Sequence, residues 1–407
     1  MIRGEPGMKR ITAFVCLLII FLSCFGCKAS QENQTDTHGD TEYNPVISLK
    51  EQDSEAQPYW ANIRPCVAKG DGGYYYSTGM LYFFDVRLSK LIPLCLKPDC
   101  THSYTEDCYA NHVTSQVYYY KGYVYTTRIS DNNELLLVRI NKDGSQRNDM
   151  FEINVGTERS GMLNVCLTFG DDCVYIYDVA GNAGSLDPDK GICIRRRSLD
   201  GKIDEIIYEY SGKDSCIETV KYYGGNLFFT VKQRVIDEET EEKDLKGLGL
   251  YAYDTETEKT VKVIDKSVCD YTINQEKELI YYYVSGEGLY KRSLSEDNSE
   301  LIYKSTDDTY MCYLSSDNKY VYIDNSRWIN LSGAYRIGKQ PVLIVVDDKG
   351  VEVNRIEYKV SGDMVFGDED YLFLSNLSDS QLCILPKKDI KDAEEFIKAA
   401  DTNEAWK

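Results

Sequence analysis

Between positions 95 and 108 the chain carries Cys95-x4-Cys100-x-His102-x5-Cys108, with Cys66 upstream. Three thiols and an imidazole can hold Zn²⁺ tetrahedrally, through thiolate sulfur and ring nitrogen. In a chain outside the cytoplasm the same cysteines can instead pair as disulfides that pin a loop. Four cysteines allow three pairings, and the spacing matches no standard zinc finger. Disulfide, metal and free thiols all remain open for Cys66, Cys95, Cys100, His102 and Cys108. No cofactor is expected apart from Zn²⁺ at Cys95, Cys100, His102 and Cys108 as a candidate.

The remaining chemistry is sparse. The chain has only 3 His, at 38, 102 and 112, so a catalyst built on several histidines is nearly excluded. Carboxylates are abundant, but no pair is marked out for acid and base roles. No catalytic residue is assigned, and the chain is not expected to be an enzyme. The acidic run at 237–244 lacks the spaced Asp/Asn plus Gly of a calcium loop and reads as a solvated charge run. Cys166, Cys173, Cys193, Cys216, Cys269, Cys312 and Cys383 fall singly among predicted strands and read as small buried hydrophobes.

The 407 residues carry a net charge of -20, from 46 Lys+Arg against 66 Asp+Glu. That balance argues against nucleic acid, whose phosphates need clustered basic residues. Hydrophobic residues make up 43%, enough for a real core.

Met8-Lys9-Arg10 is a basic start, and residues 11–25, ITAFVCLLIIFLSCF, form an apolar stretch too short to span a bilayer comfortably. Gly26-Cys27 follows. This resembles the lipobox of bacterial lipoproteins, which implies cleavage before Cys27 and a diacylglycerol on its sulfur. Ser23-Cys24 is a second possible box, and an ordinary secretory signal is the plainer alternative. Residues 1–26 are therefore expected to be a signal peptide. Residues 27–57, mostly polar, are expected to be a flexible tether with a reach on the order of 30 Å. An acidic body is repelled by anionic membrane surfaces, so acyl chains alone would hold it there.

The rest, 58–407, repeats one pattern. An apolar strand, a polar turn and a second strand recur, as in LYFFDVRL (81–88) with KLIPLCL (90–96), and LYAYDTET (250–257) with KTVKVID. Asp-Gly and Lys-Gly between β-branched runs are hairpin signals, because Gly accepts positive φ. Two more strand-like runs precede each hairpin, such as LNVCLTF and CVYIYDV (163–179). Four strands repeated every 50 residues or so predict an all-β fold, a β-propeller of about seven four-stranded blades. One such sheet cannot bury both faces alone, and stacking the sheets radially does so. Tyr74–Tyr76, Tyr118–Tyr120 and Tyr281–Tyr283 are expected to pack between blades, with aromatic ligand platforms as the alternative. A strand near 58–68 is expected to complete the last blade. Helical periodicity occurs at 389–400, DIKDAEEFIKAA, and predicts a short C-terminal helix.

In a four-stranded meander the first and third turns share one face of the ring. The second turns and the links between blades share the other. The long connections fall in the latter class, at 97–112, 178–191, 234–248 and 325–340. Long loops in a compact repeat are usually functional, and Arg327, Trp328 and Tyr335 sit in the most aromatic of them. These three are the expected ligand-binding residues.

Gly26-Cys27, LYFFD (81–85), LYAYD (250–254) and PLCLKPDCTHSYTEDC (93–108) together resemble a group of Tyr-rich β-propeller lipoproteins of Gram-positive anaerobes. Their repeats look like YWTD-type propellers. The resemblance spans about residues 58–388 and implies architecture and location. Trp is missing from the second place of the motif here, so receptor-like ligand binding does not transfer. The resemblance implies a lipid-anchored chain at the extracytoplasmic face of the cell membrane. It is expected to act as a monomer and a non-catalytic binder of an extracellular protein, peptide or glycan. Alternatives are a glycan lyase or hydrolase, or a metal- or redox-responsive lipoprotein acting through 95–108.

Overall fold

The computed structural model describes residues 41–51, 65–103, 107–153, 164–179, 191–212, 214–236, 243–306, 312–326, 340–358, 363–376 and 381–401. Its strands form seven four-stranded antiparallel sheets, each built from four strands consecutive in the chain. The protein is a seven-bladed β-propeller, as the repeat predicts. The blades span 67–93, 117–152, 165–210, 215–264, 268–304, 313–357 and 363–401. We letter the strands of each blade A to D in chain order.

The A-strands of neighbouring blades approach one another and are innermost. Blade 2's A-strand Val117–Tyr120 and blade 5's Val268–Asn274 are buried throughout. D-strands such as Arg147–Glu152 and Ser299–Lys304 are half-buried or exposed. Tight A–B turns keep the blades regular. Lys121 and Gly122 both have positive φ, 48° and 78°, the two-residue hairpin turn whose twist matches the strands it joins. Asp171 and Asp172 adopt the same conformation at 51° and 58°, which short polar side chains tolerate. In blades 2 to 7 the C–D pairing is interrupted by a register shift, for example between Leu137 and Val138. Such bulges increase strand twist.

Apolar clusters straddle the blades rather than filling them. One spans blades 2 and 3 (Tyr118, Tyr125, Phe169), another blades 5 and 6 (Tyr281, Leu314, Val346). The Tyr runs are packing residues. Tyr75 of blade 1 stacks on Tyr119 of blade 2, with ring centroids 5.5 Å apart. Tyr120 and Tyr281–Tyr283 are among the largest fully buried side chains. Their hydroxyls reach across blades as well: the Asp172 amide donates to Tyr120 at 3.0 Å.

Ring closure, the C-terminal segment and the 234–248 connection differ from expectation. No shared strand closes the ring among the described residues. Blade 7 supplies its own four strands, and Val67–Gly70 belongs to blade 1. Side chains make the seam between blades 7 and 1. Tyr74 donates to Asp368 at 2.7 Å, Tyr76 meets Ser375 at 3.2 Å, and Lys69 reaches Asp368 and Glu369 at 3.1 and 2.8 Å.

The C-terminal helix is not formed. Lys387–Asp389 makes one 3-10 turn, and Ile397–Asp401 is blade 7's D-strand. An isolated helix of about 12 residues is marginal in water, whereas the free edge of Gln381–Pro386 offers a row of unpaired backbone groups. Ile390 and Phe396, the apolar face of the expected helix, are buried in the cluster between blades 6 and 7.

The connection expected at 234–248 is largely strand. Asn226–Ile236 and Lys243–Asp254 run on as a hairpin arm, paired out to Ile236 and Lys243.

Residues 41–51, inside the expected tether, lie along blades 4 and 5. Asn44 N donates to Lys262 O at 3.0 Å, Ile47 N to Leu294 O at 2.8 Å, and Lys50 N to Gly224 O at 2.9 Å. Ile47 and Leu49 pack on the core of these two blades. A Cβ on Gly224 would stand 2.7 Å from the Lys50 carbonyl oxygen, so glycine is required for this crossing.

Candidate metal centre

The link from blade 1's last strand, Lys90–Pro93, to blade 2's first, Val117–Tyr120, brings Cys95, Cys100, His102 and Cys108 together. Their four ligand atoms all lie within 4.8 Å of one another. Cys108 Sγ is 3.5 Å from His102 Nδ1. Cys95 and Cys108 are buried, while Cys100 and His102 are half-buried.

The backbone builds this convergence in three steps. Pro93 and Leu94 end the strand, and Cys95 N donates to Pro93 O at 2.9 Å. Asp99 and His102 then take left-handed conformations, φ 59° and 58°, which fold the loop back on itself. Finally the neighbouring hairpin clamps both ends. Leu96 N donates to Gly144 O at 3.0 Å, and Gly144 sits so close that a Cβ would meet the Leu94 backbone at 2.6 Å. Arg147 donates to the carbonyls of Cys108 and Asn111 at 3.1 and 2.9 Å. Asn111, fully buried, donates to Ser103 O at 2.6 Å.

The amide N–H groups of Lys97 and Tyr109 point at Cys95 sulfur, and that of Ala110 at Cys108 sulfur. Burial works to raise the Cys95 thiol, but these amides, with the Cys108 and Cys100 thiols, hold it below the ordinary value. Burial dominates at Cys108 and pushes its thiol up to about 12. Two cations stand close: Lys97, bonded to Asp107 at 2.5 Å, lies over the Tyr109 ring, and Arg147 faces Asp107 at 3.6 Å.

Cys66, grouped with these residues from the sequence, is elsewhere. It precedes blade 1's A-strand, where its carbonyl accepts from Ser77 N at 2.9 Å, and it is buried in the blade 1 core. No disulfide joins any two cysteines among the described residues, and the scattered ones are buried. His112 stays exposed, outside the cluster. Arg327, Trp328 and Tyr335, and the expected lipidation site Cys27, lie outside the described residues, as does most of the acidic run.

A second polar cluster was missed from the sequence. Lys232 of blade 4's B-strand bonds Glu218 of its A-strand at 2.6 Å, both side chains almost wholly buried, and donates to Cys269 O at 2.9 Å. Lys221 donates to Tyr271 O at 3.0 Å. Asp270, fully buried, accepts from Leu314 N at 2.7 Å. Burial lowers Lys221 and raises Asp270. This network ties the inner strands of blades 4, 5 and 6. The only hint in the sequence was charge within the strand runs CIETVKYY and VCDYTIN.

No family model matches the chain, and no curated protein sequence matches it either. Among solved structures it is similar to a prolyl endopeptidase, 12% identical over 82% of this chain and 49% of that one, TM-score 0.49. It is similar to the tricorn protease, 13% identical over 89% of this chain and 36% of that one, TM-score 0.44. Hsv2 of Kluyveromyces lactis is 10% identical over 83% and 97%, TM-score 0.43. The chain thus spans about half and a third of the two peptidases' lengths. Likeness this distant assigns no activity.

Proposed function

We propose that this propeller is a non-catalytic binding module. In this reading it is held at the extracytoplasmic face of a membrane by a lipid on Cys27 and presents one face to an extracellular protein, peptide or glycan. The membership implied by the sequence, a Tyr-rich propeller lipoprotein, is part of the same reading.

The observation that carries it is the difference between the two faces. A–B turns such as 121–122, 171–172 and 224–225 are two residues long. The opposite face carries the 94–116 link, the tip of the hairpin arm at Ile236 and Lys243, and the strand ends from which the connection between Asp324 and Val342 departs. The N-terminal strap binds the short-turn face, at Leu294 and Gly224. The long-connection face is therefore the one left for a partner, and long connections in a compact repeat commonly serve recognition.

The test is a glycan array and a pull-down with the full-length protein, repeated after deleting residues 327–337 and, separately, after joining the arm strands at 235 and 244 by a tight turn. Loss of a bound partner in either deletion, with the melting temperature retained, supports the reading. Undiminished capture by both variants overturns the role of this face.

A further inference from the structure

We propose that Cys95, Cys100, His102 and Cys108 form a tetrahedral Zn²⁺ site that locks the link between blades 1 and 2. The proposal is independent of any partner or lipid anchor. It concerns how one connection in the ring keeps its shape.

The argument begins with distance. At Zn–S of about 2.3 Å and Zn–N of about 2.0 Å, the edges of a ligand tetrahedron are about 3.5–3.8 Å. The Cys108 to His102 separation of 3.5 Å already matches such an edge, and no pair among the four ligand atoms exceeds 4.8 Å. A metal needs only small side-chain movements to draw them in. A disulfide fits the arrangement less well: joining two of the sulfurs leaves the third thiol and the imidazole with nothing to converge on.

The surroundings are those of a thiolate site. Backbone N–H groups of Lys97, Tyr109 and Ala110 are aimed at two of the sulfurs. In both cysteines one donor is the amide two residues on, which ties each sulfur to its own turn. Three thiolates and one imidazole around Zn²⁺ leave a net charge of minus one, and Lys97 and Arg147, with Asp107 between them, bring a net plus one beside it. Arg147 and Asn111 hold the carbonyls of Cys108 and Ser103, so the ligands are positioned before any ion arrives.

The donor set selects the ion and its role. Sulfur-rich tetrahedral sites with imidazole favour zinc over the harder cations, which prefer oxygen. Four protein ligands close the coordination shell, so the ion is structural and offers no open position for a substrate. Binding displaces the thiol protons, so loading acidifies an unbuffered solution.

The experiment uses full-length protein purified in detergent under reducing, chelator-free conditions. Elemental analysis is expected to find one zinc per chain. After the zinc is stripped, Co²⁺ is expected to restore occupancy with the intense visible bands of a tetrahedral thiolate complex. Cys100→Ser and His102→Ala, both at half-buried positions, are expected to lose bound zinc while the far-ultraviolet circular dichroism of the propeller is unchanged. Cys66→Ala is expected to retain it. Two results would overturn the proposal. One is folded, reduced wild type that takes up neither zinc nor tetrahedral cobalt. The other is a mass measurement placing a disulfide between two of the three cysteines.

Discussion

Glu218 and Lys232 illustrate what single residues contribute to this fold. Their charges are buried deeply enough that removing one strands the other. Lys232→Met is expected to destabilise the protein by about 3–5 kcal/mol. The double variant Lys232→Met with Glu218→Gln should recover a good part of that, because no unpaired charge remains. Urea unfolding of the three proteins measures both terms. A double variant no better than the single one would show that the pair does not behave as a unit. Asp317 makes a similar point at the joint of blades 6 and 7. Burial works against its ionisation, but the Lys387 ammonium at 3.1 Å, the Tyr322 hydroxyl at 2.6 Å and two backbone amides hold its carboxyl below the ordinary range. A depressed acid stabilises the fold above its unfolded value, about 3.9, and that contribution fades as pH falls through the lower folded value. Asp317→Asn is therefore expected to cost about 2–4 kcal/mol at pH 7, with the gap to wild type closing below about pH 4. Melting curves across that range check it.

Elements were legible where the local signal and the tertiary need agreed. The turns Lys121-Gly122 and Asp171-Asp172 declare themselves by residue type, so strand order and count could be read directly. The Cys/His spacing likewise marked a link that folds around its own side chains. That spacing singled out His102, whose ring meets the three sulfurs, while His112 stays exposed outside the cluster. Glu218 and Lys232 meet only through strand pairing, which composition does not reveal. The segment 389–400 was misread for a related reason: its periodicity is helical, but an open strand edge next to it outweighs a marginal helix. The strap at 41–51 was hidden by its polar neighbours, since only Ile47 and Leu49 anchor it apolarly. Gly224→Ala is expected to loosen it, at a cost of about 1–2 kcal/mol, because the new Cβ collides with Lys50 O and the backbone is left-handed there. Limited proteolysis should then cut near Lys50 sooner, while the ring resists as before. Equal cutting rates would show that the strap does not depend on this glycine.

At the scale of the whole molecule, the seam between blades 7 and 1 is the informative place. It has no shared strand among the described residues, and its hydrogen bonds across the gap run between side chains such as Tyr74 and Asp368. Tyr74→Phe is expected to cost about 1–3 kcal/mol and to speed amide exchange in 67–77 and 371–376 ahead of blade 4. Uniform acceleration around the ring would show that closure is shared evenly by all blades.

That seam also bears on how the chain acquires its shape as it is made. Every sheet completes its own backbone pairing within a contiguous run of sequence. A module can therefore settle as soon as its last residues leave the ribosome or a translocation pore, since its four strands need no distant partner, and the 41–51 strap, made first, docks on blades 4 and 5 once they form. What waits until the end is the meeting of two finished surfaces, a docking step rather than a threading one.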